Sequence, residues 1–566
     1  MASRSALPLL GPALATIVLG LVSTAPAEDA FVFRNTAKDV GLFPALEGIQ
    51  GHGAAWGDVD GDGWIDLYVA TFHYGDTKPN QFFRNQKGKF EADTQAALAA
   101  SMRATGVVFA DLDNDGDLDL YVASMPQPIS KKGSSGEPRV ISGCQLYQND
   151  GKGSFTNVSE GNEACPAAFG GRSVAVLDYN GDGLLDLAVG EDPNPGYNGS
   201  KTKSSRLFRN AGGLKFVDAS REAGIPEGIP GLGVAAADVN NDGWPDLFLA
   251  SSAGGNVLLL NDGKGKFFEP EGSRPVFAWE GAVGDNMVCG ACFGDVNRDG
   301  LLDLVLGQHF KNPWVTPVAN RLYLNRGIVK GVPKFEEATE AAGLVAMPLK
   351  SPHVEIQDYD NDGWPDISCS LVKLQDGVPH PIIFRHTGLQ GSIPQFRADG
   401  LDVNDYPTDS DRSLKRSGDF FKRMLQEGKV TYSAPGPTGD YDNDGRLDMV
   451  LPSWWTETGT LLLHNETKGG HWLDVRVEGN DGVNRMGIGS RIRLYTAGGI
   501  GDSKALIGCQ DLSVGFGYAS GQTAIAHFGL GKAETVDVEI TYPHGKGRDV
   551  RKGVKAGQRL MISREK

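Results

Sequence analysis

Cysteine is scarce, with six in 566 residues, which excludes a small disulfide-built scaffold. Basic residues number 54 against 71 acidic ones, a formal net charge of −17, and nothing in that balance argues for nucleic-acid binding. Long helical patterns are few, and with them goes a helical bundle or helical repeat. Beyond the N-terminus no apolar run is long enough to cross a bilayer. The spacings HExxH, H-x-x-E-H and G-x-S-x-G and the Gly-rich phosphate loop do not occur, so the common zinc-protease, serine-hydrolase and nucleotide signatures are missing.

What the chain has instead is glycine, 77 residues of it, with short apolar strands between turns, the pattern of an all-β protein. One phrase recurs seven times, as in "GDVDGDGWIDLYV" and "GDYDNDGRLDMVL". From its first Asp it reads D-x-[DN]-x-D-G-x-x-D and runs directly into an apolar strand. Positions 1, 3, 5 and 9 are Asp58, Asp60, Asp62 and Asp66, then Asp111, Asp113, Asp115 and Asp119, then Asp178, Asn180, Asp182 and Asp186. The later copies are Asp238, Asn240, Asp242 and Asp246; Asp295, Asn297, Asp299 and Asp303; Asp358, Asp360, Asp362 and Asp366; and Asp440, Asp442, Asp444 and Asp448.

Closely spaced, mostly anionic oxygens on a tight turn suit a hard cation of the calcium type. Two carboxylates ~4 Å apart repel by about 4 kcal/mol at an effective dielectric of about 20, so such a loop wants a cation to be ordered. An EF-hand opens in the same way but closes with Glu at position 12 between helices. Here position 12 is Val69, Val122, Val189, Leu249, Leu306, Cys369 or Leu451, and the ninth-position Asp is left to close the site. Up to seven Ca²⁺ are expected, and they would cancel most of the negative charge.

The loops start about 64 residues apart on average, a period of the repeat-architecture kind. Each interval adds two more strand signals: an apolar stretch such as "QFFRN", "QLYQN" or "RLFRN", then a Gly-rich turn and a Phe strand beginning at Phe90, Phe155, Phe216, Phe267, Phe335 or Phe396. Four antiparallel strands per repeat make a propeller blade. The seventh loop has no Phe strand after it. "FVFRNTAKDVGL" at Phe31 to Leu42 resembles the strand at Phe335 to Leu344 and supplies the missing piece, closing the ring and removing its edges. The fold expected is therefore a seven-bladed β-propeller over residues 28–468. Residues 469–566 alternate apolar and polar in "LDVRV", "RIRLY" and "VDVEI", which indicates a small β-sandwich domain.

These motifs carry a family resemblance. The Asp loops followed by "DLYVA" and "LFRN" resemble the FG-GAP/VCBS repeats of integrin α-subunit propellers and of secreted bacterial proteins. "NRMGIGSRIRLY", "GFGYASGQ", "AHFGLG" and "ITYPHG" resemble the ASPIC/UnbV domain that follows such repeats in the cartilage acidic protein family. Tyr542 stands where the family usually has Trp before Pro-x-Gly. The resemblance implies calcium in the loops on one rim and ligands on the opposite face.

The first 27 residues, with Arg4, an apolar stretch and Ala25-Pro26-Ala27, have the layout of a signal peptide cleaved after Ala27. The mature chain is expected to be secreted or periplasmic, monomeric and without a membrane span. Cys144 and Cys165 flank a predicted hairpin and form the candidate disulfide. Cys289 and Cys292 lie three apart in a predicted strand and should face opposite ways.

Variable connections opposite the Asp loops are the natural place for recognition. His52, His353 and Trp454 are the candidate residues there, with His309 nearby, and no catalytic group is assigned. The function read from the sequence is a calcium-binding adhesion or ligand-binding module for an extracellular protein or glycan. The alternative is a carbohydrate-active lyase or hydrolase on the same face.

Overall fold

The computed structural model describes residues 30–564 apart from 73–77, 126–142, 167–168, 193–203, 252–254, 280–286, 311, 399–400 and 454–458. The signal-peptide reading of residues 1–27 and the candidate Trp454 fall outside these residues. From Phe31 onward the chain forms one compact unit.

Blade 1 consists of Gly51–Gly57, Asp66–Thr71, Gln81–Asn85 and Phe90–Ala92, paired antiparallel in chain order. The next five sheets repeat that order, and they begin at Ala104, Gly171, Gly233, Val288 and Val354. The last combines Thr438–Gly439, Asp448–Leu451 and Leu461–Asn465 with Phe33–Asn35 from the chain's beginning. Phe33 pairs with Asn465 and Asn35 with Leu463, so the N-terminal strand closes this sheet as its sequence suggested. On the other side Gly51 N donates to Ser453 O (2.9 Å) and Trp56 Nε1 to Pro437 O (3.1 Å), joining the first sheet to the last.

The innermost strands are rich in Gly and Ala because they converge on the axis. A Cβ on Gly53 would lie 2.1 Å from Thr105 O, and one on Gly106 the same distance from Arg172 O. Larger side chains fill the space between blades: Trp56, Phe83 and Phe90 pack with Tyr441, Val450 and Leu462 where the ring closes. The excursion before the last blade forms a helix, Phe420–Glu427, whose Phe420, Phe421 and Met424 are buried. It packs on Val372, Leu374 and Met449.

The C-terminal region makes two sheets. One contains His471–Glu478, Ala526–Gly531 and Gln558–Ser563; the other contains Arg491–Thr496, Leu506–Asp511, Thr535–Thr541 and Arg548–Lys555. Leu473, Val475, Ile492, Leu494, Phe528, Val538 and Ile540 share a core, as in a β-sandwich. This domain is not separate from the propeller. Ser520–Gly521 pairs in parallel with Ala54–Ala55 of the innermost strand of blade 1, while Val514 bridges to Val176 and Gly517 to Ala291. The segment containing "GFGYASGQ" is thus threaded along the axis of the propeller.

Candidate cation sites and the channel

In every blade the Asp loop joins the innermost strand to the second, so all seven loops lie on one rim. Each is built by the same backbone bonds. The Gly at position 6 takes a positive φ, 89° at Gly63 and between 82° and 107° in all seven loops, and its N–H donates to the first Asp. These bonds measure 3.0 Å at Asp58 and Asp111, 2.9 Å at Asp178, Asp238, Asp295 and Asp440, and 2.7 Å at Asp358. The ninth-position Asp does more than the sequence suggested. Its Oδ2 accepts the position-2 N–H, 3.2 Å from Val59 to Asp66, and its Oδ1 accepts the N–H of Asn85 at 2.7 Å. The same pair of bonds recurs in the other six loops. Position 9 therefore anchors the loop to the third strand, and in Asp66 each of these oxygens retains a second lone pair for a cation, whereas Asp448 Oδ1 also meets His464 Nδ1 at 3.1 Å.

Carboxylate oxygens come within 4.8 Å of one another in Asp58/Asp60/Asp62, Asp111/Asp113/Asp115, Asp358/Asp360/Asp366 and Asp440/Asp442/Asp444. His464 joins Asp442 and Asp448 in a further group. Burial pushes the carboxyls upward, Asp66 and Asp111 to about 7 and Asp119 and Asp448 to about 8. Asp58 Oδ1, Asp113 Oδ1, Asp358 Oδ1 and Asp442 Oδ1 are buried without a hydrogen-bond partner. Orphaned, mutually close oxygens on a turn of fixed geometry fit a hard dication. Arg84 meets Asp60 at 3.1 Å, Arg385 pairs with Asp360 and Arg446 with Asp444, so some of the loops also draw on a guanidinium.

The sequence reading treated "QFFRN" and its relatives as strands only. Their final Asn is a clamp between blades. Asn85 Nδ2 donates to Tyr441 O, Asn149 to Val59 O, Asn210 to Leu112 O, Asn261 to Tyr179 O, Asn325 to Val239 O and Asn465 to Tyr359 O, over 2.5–3.0 Å. Each acceptor is the position-2 residue of the preceding Asp loop. The recurrence of Asn at one place in six of seven repeats was the available signal.

The C-terminal domain sits on the Asp-loop rim. Arg559 Nη2 donates to Asp440 Oδ2 (2.8 Å) and Arg491 Nη2 to Asp238 O (2.5 Å), while His544 N donates to Gly243 O (2.7 Å). Arg485 N donates to Asn114 Oδ1 (2.8 Å), and His527 Nε2 lies 2.8 Å from Asn361 Oδ1. Backbone approach is equally close: a Cβ on Gly445 would overlap the indole of Trp472, 1.9 Å from Cε2.

Two of the candidate recognition residues prove not to be surface groups. His52 is 4% exposed and His353 3%, because the threaded segment covers them. Tyr518 N donates to His353 Nδ1 (3.1 Å), with the Ser520 hydroxyl 3.2 Å from the same nitrogen. Gly517 permits this approach, since its φ is 72° and a Cβ would fall 2.7 Å from His353 Cε1. The expected Cys144–Cys165 bridge is not formed. Both are free thiols, Cys144 buried between Tyr121 and Gly171, and burial raises both pKa values. Cys289 and Cys292 are also free and pack into different clusters, as their opposite facing requires.

Comparison with known proteins agrees with these motifs. The FG-GAP-like repeat family matches residues 58–122, 140–189 and 238–306, and the ASPIC and UnbV family matches 480–566. Cartilage acidic protein 1 of Homo sapiens is 27% identical over 515 residues, covering 88% of this chain and 69% of that protein. The Mus musculus protein is 26% identical over 518 residues, covering 88% and 71%. Among solved structures, BBS1N in complex with ARL6DN is 10% identical with a TM-score of 0.39, covering 76% of this chain and 96% of that one. AofleA from Arthrobotrys oligospora is 12% identical with a TM-score of 0.34, covering 63% and 89%. Scores this low add nothing to the architecture described above.

Proposed function

For a chain that carries FG-GAP-like repeats in a β-propeller and an ASPIC and UnbV domain related to that of cartilage acidic protein 1, we propose a secreted, calcium-stabilised module that binds an extracellular protein or glycan. The observation that carries this reading is the division of labour between the rims. The Asp-loop rim is occupied by the chain's own C-terminal domain through Arg559, Arg491 and His527, which leaves the opposite face for partners. The Asp loops supply the oxygen donors for Ca²⁺, which would neutralise their charge and fix the rim on which the domain rests. Export follows from the leader-like first 27 residues, and among the described residues no helix is long and apolar enough to cross a membrane.

The calcium-loaded chain applied to a glycan array, together with pull-down from extracellular material, tests the reading. Capture of a ligand that persists when Arg559 is replaced supports it; an array and pull-down that capture nothing reject it. The enzymatic alternative draws on one observation, the meeting of Arg172, His52, His309 and Tyr518 at the axis. Release of new reducing or unsaturated sugar ends from a captured glycan would establish it.

A further inference from the structure

The seven Asp loops differ at position 3, and one residue of the third strand differs with it: the one before the last residue of "QFFRN" and its relatives. In blades 1, 2, 6 and 7 position 3 is Asp, and the strand residue is Arg84, Gln148, Arg385 or His464. Each faces the Oδ2 of the position-3 Asp in its own loop. Arg84 Nη1 donates to Asp60 Oδ2 (3.1 Å), Gln148 Nε2 to Asp113 Oδ2 (3.0 Å) and Arg385 Nη1 to Asp360 Oδ2, while His464 Nδ1 lies 3.5 Å from Asp442 Oδ2. The other oxygen is left to the loop. Asp113 Oδ1 and Asp442 Oδ1 are buried without a hydrogen-bond partner, and Asp60 Oδ1 and Asp360 Oδ1 each accept the position-5 N–H at 3.3 Å.

In blades 3, 4 and 5 position 3 is Asn180, Asn240 or Asn297, and the strand residue is Arg209, Leu260 or Leu324. The two Leu are buried and have nothing to donate. These loops hold position 3 from within. Each Asn Nδ2 donates to the position-5 carboxylate, Asp182, Asp242 or Asp299, over 2.8–3.0 Å, and each Asn Oδ1 accepts the position-5 N–H over 3.1–3.2 Å. An amide can thus fix itself, whereas a carboxylate has no N–H and needs a donor from outside the loop.

The outside donors are guanidinium, amide and imidazole. Since the amide of Gln148 is uncharged, what they share is an N–H and not neutralisation of the loop. The terminal torsion of Asp is broad, and oxygens of Asp111, Asp113 and Asp115 lie within 4.8 Å of one another, where repulsion turns an untethered carboxylate away. A hydrogen bond on the far side of a ligand sets its orientation before the ion arrives, and loss of such support typically costs about 10–100-fold in affinity.

We propose that Arg84, Gln148, Arg385 and His464 are positioning residues for the loop cation: each holds Oδ2 of the position-3 Asp so that Oδ1 is presented to a hard dication. The proposal rests on the reading of the loops as calcium sites.

Loop 2 gives the cleanest test, because Gln148 is neutral and Leu stands in its place in blades 4 and 5. Hydrogen exchange of the full chain, read by mass spectrometry across a series of buffered free Ca²⁺ concentrations, reports each loop through its own peptide. The midpoint of protection in residues 111–119 should move about tenfold higher in Gln148→Leu, while the midpoint in residues 238–246 stays where it is. Adding Asp113→Asn, which gives loop 2 the Asn and Leu of blades 4 and 5, should recover most of that loss. Gln148→Met, close to Gln in length, takes over the test if Leu lowers the melting temperature measured in EDTA. An unmoved midpoint, or a double variant no better than the single, overturns the proposal. Faster exchange of residues 111–119 in EDTA without rescue assigns Gln148 a merely structural role and also overturns it. If no loop of the wild-type chain shows calcium-dependent protection, the calcium reading falls and this proposal with it; protection that depends on calcium but ignores Gln148 leaves that reading standing.

Discussion

Replacing Asn261 with Ala removes one of the clamps between blades. Asn261 is 2% exposed; its Nδ2 donates to Tyr179 O (2.9 Å) and Pro245 O (3.3 Å), and its Oδ1 accepts from Gly263 N (3.0 Å). Three such bonds contribute about 1 kcal/mol each, and stranding the buried Tyr179 carbonyl costs about 1–3 kcal/mol more where water cannot replace the donor. The loss should therefore be about 4–6 kcal/mol. With an unfolding entropy of about 2.1 cal/mol/K per residue, a unit spanning Phe31–Lys566 would melt roughly 4–5 °C lower. Differential scanning calorimetry reads this directly, and hydrogen exchange should show the opening at Tyr179 and Asn180, in the neighbouring blade. Asn157→Ala is the control, since its amide bonds are exposed and should be worth less than about 0.5 kcal/mol. Equal melting of the two variants would refute the idea that the recurring Asn holds blades together.

Removing bound cations with EDTA should lower the melting temperature and added Ca²⁺ should restore it, because ordering the loops and binding the ion are linked; identical curves, with no calcium found by elemental analysis, would reject calcium. In EDTA the protein should be more stable at pH 5 than at pH 8. The carboxyls of Asp66, Asp119 and Asp448 are raised to about 7–8, so the folded state binds more protons than the unfolded one and loses stability as pH rises through that range; urea midpoints at the two pH values check the sign. Deleting Phe31 to Thr36 should expose the edge at Leu463–Asn465 and cause aggregation, visible by light scattering. Gly517→Val should prevent the threaded segment from seating, given its positive φ and the 2.7 Å approach to His353, and should raise proteolytic sensitivity across residues 513–522.

The propeller and its closure were legible in the sequence because they follow from local repetition: a carboxylate spacing, an apolar strand and a Phe strand recur in register. Even Phe33–Asn35 could be matched to its partner blade, because it keeps the repeat's own pattern. The fate of His52 and His353 was not legible. Their burial depends on Tyr518 and Ser520, which lie outside the repeats and reach the axis only through the glycines at 515, 517 and 521. A Cβ at those three positions would meet Val174 O, His353 and Val107 O. The glycines were visible as a motif, but nothing local says what backbone they are built to approach. The docking of Arg559 and Arg491 on the Asp loops was hidden in the same way, since a charge pattern within one domain does not name its partner in another.

The pairing of Ser520–Gly521 with Ala54–Ala55 also dictates an order of assembly. During synthesis the first blade emerges more than four hundred residues before the strand that completes its inner edge, and Phe33–Asn35 waits nearly as long for Leu461–Asn465. Neither end of the chain can reach its native neighbours until the other has been made, so contacts of very long sequence separation are deferred to the close of folding, where they slow it. A nascent chain halted between residue 465 and residue 513 holds a ring with an unfilled axis. Completion of blade 1 is thereby tied to the segment around Ser520–Gly521, and loss of that segment is felt at Ala54–Ala55.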